Sequence, residues 1–314
     1  MKKIFAIFIL IAAVAGYWGY QVYNDTSNSK MEVLHPERTK LEPEPEPKQK
    51  EEKKIPELGL TGKVALLFDE RDGNILYEKN ANKRIYPAST TKILTAQLAL
   101  KYGNLNDRIT VGDEVNMKEK GESTAYLVEG QSYTLRELMS GLMLPSGNDA
   151  ARTIAIYAGK KIEGNLHLSN EKAMAVFVRE MNEYADQLGA THSHFVNSNG
   201  LHDRNHYTTA YDMAIITEAA MKIPEFMAIV SQSTYRDKNV SYKNTNQLLD
   251  PENEHYFEGV DGIKTGFTDE AGRCLVSSIK VDGRHLVALV FDSTNEEVFN
   301  DSSALLSAGI TYGS

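Results

Sequence analysis

The chain has 314 residues, a formal net charge of −9, 41% hydrophobic residues and 25% charged residues. That length allows one large domain or two small ones, and the composition is that of a chain with a core, which excludes a wholly disordered or fibrous protein. The negative balance argues against nucleic acid as the main partner, because phosphate binding needs a basic face; a mean hydropathy of −0.39 and a single long apolar run exclude a polytopic membrane protein.

Lys2 and Lys3 precede an uncharged stretch from Ile4 to Asn24, with its apolar heart at Ile4 to Ala15. Positive charge before an apolar run directs the chain outward. Two fates stand open. Ala13-Val14-Ala15 offers an A-x-A cleavage pattern, and cutting after Ala15 would give a secreted protein. Retention would give a membrane anchor, and the uncharged stretch is long enough to span. Tyr17, Trp18, Tyr20 and Tyr23 resemble an aromatic belt at the outer interface, so the reading favours the retained anchor, with the rest of the chain on the extracytoplasmic face. Residues 25–58 read as a stalk: Glu42-Pro43-Glu44-Pro45-Glu46-Pro47 is biased toward extended polyproline backbone, and Lys48 to Lys54 cannot bury a core.

The folded domain is expected over residues 59–314. Val64 to Phe68 and Ile75 to Tyr77 flank Asp72-Gly73, a hairpin signal. Pro87-Ala88-Ser89 leads into Ile93 to Leu100, apolar nearly all round and so a buried helix. Leu135 to Leu144 is an amphipathic helix ended by Pro145, and Asp149 to Ala158, Glu171 to Leu188 and Thr209 to Met221 carry helical periodicity. Val260 to Lys264, Leu275 to Val281 and Leu286 to Phe291 read as short strands, with Asp282-Gly283 as a second hairpin turn, and Val298 to Ala308 closes the chain as a helix. Strands at both ends with helices between predict an α/β fold: one sheet completed by both termini, plus a helical lobe. The lone cysteine, Cys274, cannot close an intramolecular disulfide and reads as a small buried hydrophobe. His192, His194, His202 and His206 cluster in sequence, but without a helical H-E-x-x-H they read as loop histidines rather than zinc ligands; no metal and no cofactor is expected.

Three short motifs carry chemistry. A serine hydroxyl is a poor nucleophile until a base takes its proton, and a lysine serves as that base when burial or nearby cations lower its pKa. S-x-x-K on a helix puts both side chains on one face. The pattern occurs at Ser27/Lys30, Ser89/Lys92, Ser169/Lys172 and Ser277/Lys280. Ser27 lies in the polar stalk, Ser169 opens a polar helix, and Ser277 lies in a strand, where i and i+3 face opposite sides. Only Ser89 starts a buried helix. Ser146-Gly147-Asn148 offers, in a turn between helices, a second hydroxyl for proton relay and an amide to hold a substrate peptide bond. Lys264-Thr265-Gly266 ends a strand with an ammonium and a hydroxyl able to clamp a carboxylate, and a glycine that permits close backbone approach.

In that order, Ser89-x-x-Lys92, Ser146-x-Asn148 and Lys264-Thr265-Gly266 resemble the signature of penicillin-binding proteins and serine β-lactamases. The surroundings Tyr86 to Lys92, Leu144 to Ala151, Phe195-Val196-Asn197-Ser198-Asn199-Gly200-Leu201 and Gly262 to Thr268 resemble the low-molecular-mass serine D-alanyl-D-alanine carboxypeptidases over about residues 60–312. The resemblance implies the serine β-lactamase/penicillin-binding-protein-like fold, a peptidoglycan stem peptide ending in D-Ala-D-Ala as substrate, and β-lactams as covalent inhibitors. It implies Ser89 as the acylated nucleophile, Lys92 as its base, Ser146 as proton relay and Asn148 as the group positioning the substrate amide. Lys264 and Thr265, with Gly266 beside them, would bind the terminal carboxylate, and the backbone N–H groups of Ser89 and Phe267 would form the oxyanion hole. Phe267 stands where many relatives carry a histidine. The chain stops at Ser314, where many relatives add a second β-domain and a C-terminal anchor, so attachment is expected through the N-terminal segment. Two alternatives are a class A β-lactamase, which needs a glutamate in a Glu-x-x-x-Asn spacing absent between Ser146 and Lys264, and a non-catalytic β-lactam sensor or scaffold.

Overall fold

Asp72-Gly73 turns the chain as the sequence predicts, with Gly73 in the left-handed region at φ 70°, where a residue without Cβ is unstrained. Strand β1 (Val64–Asp69) enters this turn and β2 (Asn74–Lys79) leaves it. The computed structural model describes residues 55–312 apart from residue 296, and the expected anchor at 1–24 and most of the expected stalk lie outside the described residues. Ile55 and Leu58 pack against buried residues of the domain, so its packed part begins ahead of Gly59.

A 3₁₀ turn, Ala88–Thr91, runs directly into helix α1 (Lys92–Tyr102). A small ribbon follows, β3 (Arg108–Thr110) paired with β4 (Ser132–Thr134). Thr134 then starts α2 (Leu135–Met143) through a capping box with Glu137. Next come α3 (Asn148–Ile162), α4 (Asn170–Leu188) and α5 (Ala210–Met221). Ser169 and Thr209 cap α4 and α5 with their hydroxyls. Helix α6 (Pro224–Val230), the β3/β4 ribbon and the ribbon β5 (Thr234–Arg236)/β6 (Ser241–Lys243) are not predicted from the sequence; each is too short to establish a periodicity. Strands β7 (Val260–Thr268), β8 (Gly272–Val281) and β9 (Arg284–Ser293) lead to α7 (Glu297–Tyr312).

The main sheet is antiparallel throughout, in the order β2-β1-β9-β8-β7. The N-terminal hairpin therefore pairs with the last strand, which is how both ends of the chain complete one sheet. β1 is buried along its whole length because both faces are covered. Leu66, Phe68, Val276, Val287 and Leu289 face the helical lobe, while Ala65, Leu67, Leu275, Ala288 and Val290 face α7 through Leu305 and Leu306, the alternation a pleated strand imposes. α1 is buried from Lys92 to Ala99. It forms the axis of the lobe and delivers its N-terminus to the inner edge of β7. Among the described residues no helix is long and apolar enough to cross a membrane.

Candidate active site

Ser89 and Lys92 meet through the 3₁₀ turn rather than through an α-helical turn. Three residues per turn eclipse positions i and i+3, and Lys92 is the first α-helical residue. Its Nζ lies 2.8 Å from Ser89 Oγ, 2.7 Å from Asn148 Oδ1 and 2.7 Å from the Asn199 carbonyl. Lys92 is completely buried. Burial and the neighbouring Lys264 ammonium hold its pKa well below the ordinary lysine value. In the neutral amine two N–H bonds suffice for Asn148 and Asn199, and the lone pair is left to accept the Ser89 hydroxyl proton.

Two glycines bring the backbone in. Gly200 has φ 85°, and a Cβ there would lie 1.8 Å from the Ala88 carbonyl oxygen, so only glycine lets the Asn197–Leu201 loop reach Lys92. The loop is held by Asn197 Oδ1, which accepts from the Asn199 and Gly200 amides. A Cβ on Gly266 would lie 3.0 Å from Ser89 N and 3.2 Å from Thr90 N. The absent side chain sets how closely β7 approaches the Ser89 turn.

Ser146 is buried in the left-handed region at φ 66°, a strained state of the kind found at functional turns. Asn148 opens α3. The Asp149 carboxylate accepts from Thr124 Oγ1 and from the Ala125, Leu127 and Ala150 amides, which clamps the 121–127 loop against that helix end. From this loop Glu122 takes a two-point ion pair with Arg152, at 3.0 and 2.5 Å, and accepts from Asn148 Nδ2 at 3.2 Å. Neither Glu122 nor Arg152 was singled out from sequence. They lie far apart along the chain, and no local pattern marks a buried ion pair.

On β7, Lys264 is 1% exposed and burial brings its pKa down to about 7. Thr265 Oγ1 shares a 2.5 Å hydrogen bond with Thr245 Oγ1, and Thr245 is tied to the Leu144 carbonyl ahead of Ser146. Thr245 thus links two motifs, a role its polar loop gave no sign of. Phe267 is 47% exposed, with the Arg273 guanidinium 4.1 Å from its ring centroid. The cleft between these elements measures about 890 Å³ and is walled by Ser89, Ser146, Asn148, Thr265, Gly266 and Phe267. Every predicted site residue thus lies on this cleft or, as the two buried lysines do, directly behind its wall.

The other described S-x-x-K pairs lie away from the cleft. Ser27 is outside the described residues, Ser169 caps α4, and Ser277 hydrogen-bonds Ser302 under α7. Cys274 is buried with its thiol pKa pushed up to about 12, a packing residue as expected. The histidines have separate roles. The Val196 amide donates to His206 Nδ1, so the ring carries its proton on Nε2 and donates to Thr91. His194 contacts the Asn205 carbonyl, and His202 packs edge-on against Tyr86.

The family model described as D-alanyl-D-alanine carboxypeptidase matches residues 49–295. The chain is 34% identical over 259 residues to the D-alanyl-D-alanine carboxypeptidase DacF of Bacillus subtilis (strain 168), covering 79% of this chain and 61% of that protein. It spans about three-fifths of the length of this and similar curated relatives. Among solved structures, the Streptomyces K15 DD-transpeptidase superposes with a TM-score of 0.73 at 29% identity, covering 80% of this chain and 98% of that one. Penicillin-Binding Protein D2 from Listeria monocytogenes, solved in an ampicillin-bound form, gives 0.68 at 28%, covering 81% and 100%. The architecture is that of the DD-peptidases and penicillin-binding proteins.

Proposed function

The chain belongs to the D-alanyl-D-alanine carboxypeptidase family, and from that premise we propose that it removes the terminal D-Ala from peptidoglycan stem peptides through an acyl-enzyme on Ser89. The observation that carries this reading is the Lys92 amine. It is fully buried, depressed in pKa, hydrogen-bonded to two acceptors and 2.8 Å from the Ser89 hydroxyl, which is the arrangement of a general base beside its nucleophile.

The steps follow from these groups. Lys264 and the Thr265 hydroxyl bind the terminal carboxylate, and Asn148 orients the substrate amide. Lys92 takes the Ser89 proton as Oγ adds to the carbonyl carbon of the penultimate D-Ala. The Ser89 and Phe267 backbone N–H groups hold the oxyanion, a contribution of about 3 kcal/mol per donor in comparable sites. Ser146 passes a proton to the departing nitrogen, and free D-Ala leaves. Water then attacks the acyl-enzyme, the Lys92/Ser146 pair takes its proton, and Ser89 is restored. A β-lactam enters the same first step, but its leaving group stays tethered and obstructs the water, so the adduct persists. The β-lactamase alternative needs a free carboxylate beside that water. Glu122 is the glutamate that reaches Asn148, and both its oxygens are engaged by Arg152.

The same reading puts the domain outside the cytoplasm, at the cell membrane, with residues 1–24 as anchor and 25–58 as spacer. It is supported by Lys2 and Lys3 ahead of the uncharged Ile4 to Asn24. The test is mass spectrometry of a D-Ala-D-Ala-terminated peptide after incubation with the protein and with Ser89→Ala. Loss of one residue with the native protein alone is expected; equal release by the variant would overturn the reading.

A further inference from the structure

Glu122 and Arg152 are 1% and 7% exposed at their side chains and are joined by two hydrogen bonds. Arg152 lies one helical turn beyond Asn148 on α3, and Glu122 comes from the loop that Asp149 pins to the same helix end. A carboxylate only accepts hydrogen bonds, so the Asn148 amide must turn its NH₂ toward Glu122. Its Oδ1 is then obliged to face Lys92, 2.7 Å away. A relay runs from the guanidinium through the carboxylate and the amide to the amine beside Ser89.

Resting on the carboxypeptidase reading above, we propose that Glu122 and Arg152 are a positioning pair for acylation: the held carboxylate fixes the rotation of the Asn148 amide, and the two opposite charges balance the field around Lys92. Lys92 is faced by Lys264 from β7, by Glu122 from the loop and by Asp149 and Arg152 from α3, with His206 nearby in the segment ahead of α5. Glu122 and Asp149 favour its protonated form, and Lys264 and Arg152 disfavour it. Removing one member of the pair therefore leaves its partner's charge unopposed.

The signs follow. Lys92 is the base in its neutral form, so acylation falls on the acid side as it protonates. Glu122→Gln removes a negative charge, lowers the Lys92 pKa and moves the acid limb to lower pH. Arg152→Gln removes a positive charge and moves it to higher pH. A unit charge several ångströms away in a site of intermediate dielectric shifts a pKa by roughly one unit, or about tenfold in rate at a fixed pH on that limb. The double variant Glu122→Gln/Arg152→Gln should return the limb close to native but lower the plateau several-fold, because the amide is no longer held. Arg152→Lys, which keeps the charge and loses the fork, should do the same.

The experiment is the rate of acylation by a fluorescent penicillin across pH for these four variants, with thermal melts alongside. Opposite limb shifts in the single variants support the proposal. Limbs at the native position in folded single variants, or shifts of one sign that track stability loss, overturn it. A buried charge stripped of its partner destabilises a fold, so if a single variant does not fold, the double variant and Arg152→Lys decide. A lowered plateau in them supports the pair's role, and a native plateau in both overturns it. A native protein that penicillin does not label at all refutes the carboxypeptidase reading itself, and this proposal with it.

Discussion

Gly266→Ala isolates the close approach between β7 and the Ser89 turn. Gly266 pairs with Cys274 in the regular ladder, and its backbone is not left-handed, so alanine adds no conformational strain. What it adds is a Cβ 3.0 Å from Ser89 N, 3.2 Å from Ala88 Cβ and 3.2 Å from Thr90 N. Contacts that short force the neighbours apart by a few tenths of an ångström. Two of the three neighbours are backbone atoms of a packed turn, which yields poorly. Overpacking of this kind costs about 1–3 kcal/mol of stability. The catalytic loss should be larger in proportion, because the displacement separates the Ser89 and Phe267 amides proposed to hold the oxyanion. A 1 Å misplacement costs about a hundredfold, so a few tenths should cost several-fold to tenfold in acylation. The assay is the second-order rate of labelling by a fluorescent penicillin, read beside a thermal melt. A variant that melts lower but acylates at the native rate would show that the glycine serves packing alone, and native values for both would refute the steric reasoning.

Three further outcomes are expected. The pH profile of kcat/KM should be bell-shaped: activity rises as Lys92 deprotonates and falls near pH 7 as Lys264, held down to about 7 by burial, loses the charge proposed to bind carboxylate. Lys264→Gln should abolish the alkaline limb along with most of the affinity, and an unmoved limb would contradict that role. Asp149→Ala removes the acceptor of four donors and should lower unfolding free energy by about 2–4 kcal/mol, with faster hydrogen exchange at Ala125 and Leu127; native exchange there would count against the clamp. His206 is held neutral in the fold, its pKa lowered by burial to about 4. The unfolded chain takes up that proton first, so stability is full above about pH 6.5 and falls by about 3 kcal/mol as the pH drops toward 4. Urea titrations of His206→Gln should show a flatter dependence over that interval.

Much of this site is legible in the chain because its parts are local. Ser89 and Lys92 are three residues apart, Ser146 and Asn148 two, and Lys264 to Gly266 contiguous. The helices were legible from their apolar periodicity and, for α2, from Pro145 just beyond its end, while hydroxyl caps at Thr134, Ser169 and Thr209 fix where α2, α4 and α5 begin. The boundaries of β7 and β9 ran past the apolar runs, since pairing with β8 continues through polar residues such as Thr268 and Ser293. The groups that were not legible act across the fold. Glu122 meets Arg152 only because Asp149 clamps their loop and helix together. Thr245 meets Thr265 only because β5 and β6 return the chain to β7. Hydrophobic periodicity does not distinguish a 3₁₀ turn at a helix start from an α-helical one, so the Ser89–Lys92 turn is legible only as helix, although the i, i+3 facing is the same.

The central claim is that Ser89 is acylated with Lys92 as its base, and it is tested most directly by intact-protein and peptide-mapping mass spectrometry after brief exposure to penicillin at neutral pH. One penicilloyl mass is expected, confined to the peptide containing Ser89, persisting after excess drug is removed, absent from Ser89→Ala and strongly slowed in Lys92→Ala. An adduct on another residue, or undiminished labelling in the folded Lys92→Ala variant, would contradict it.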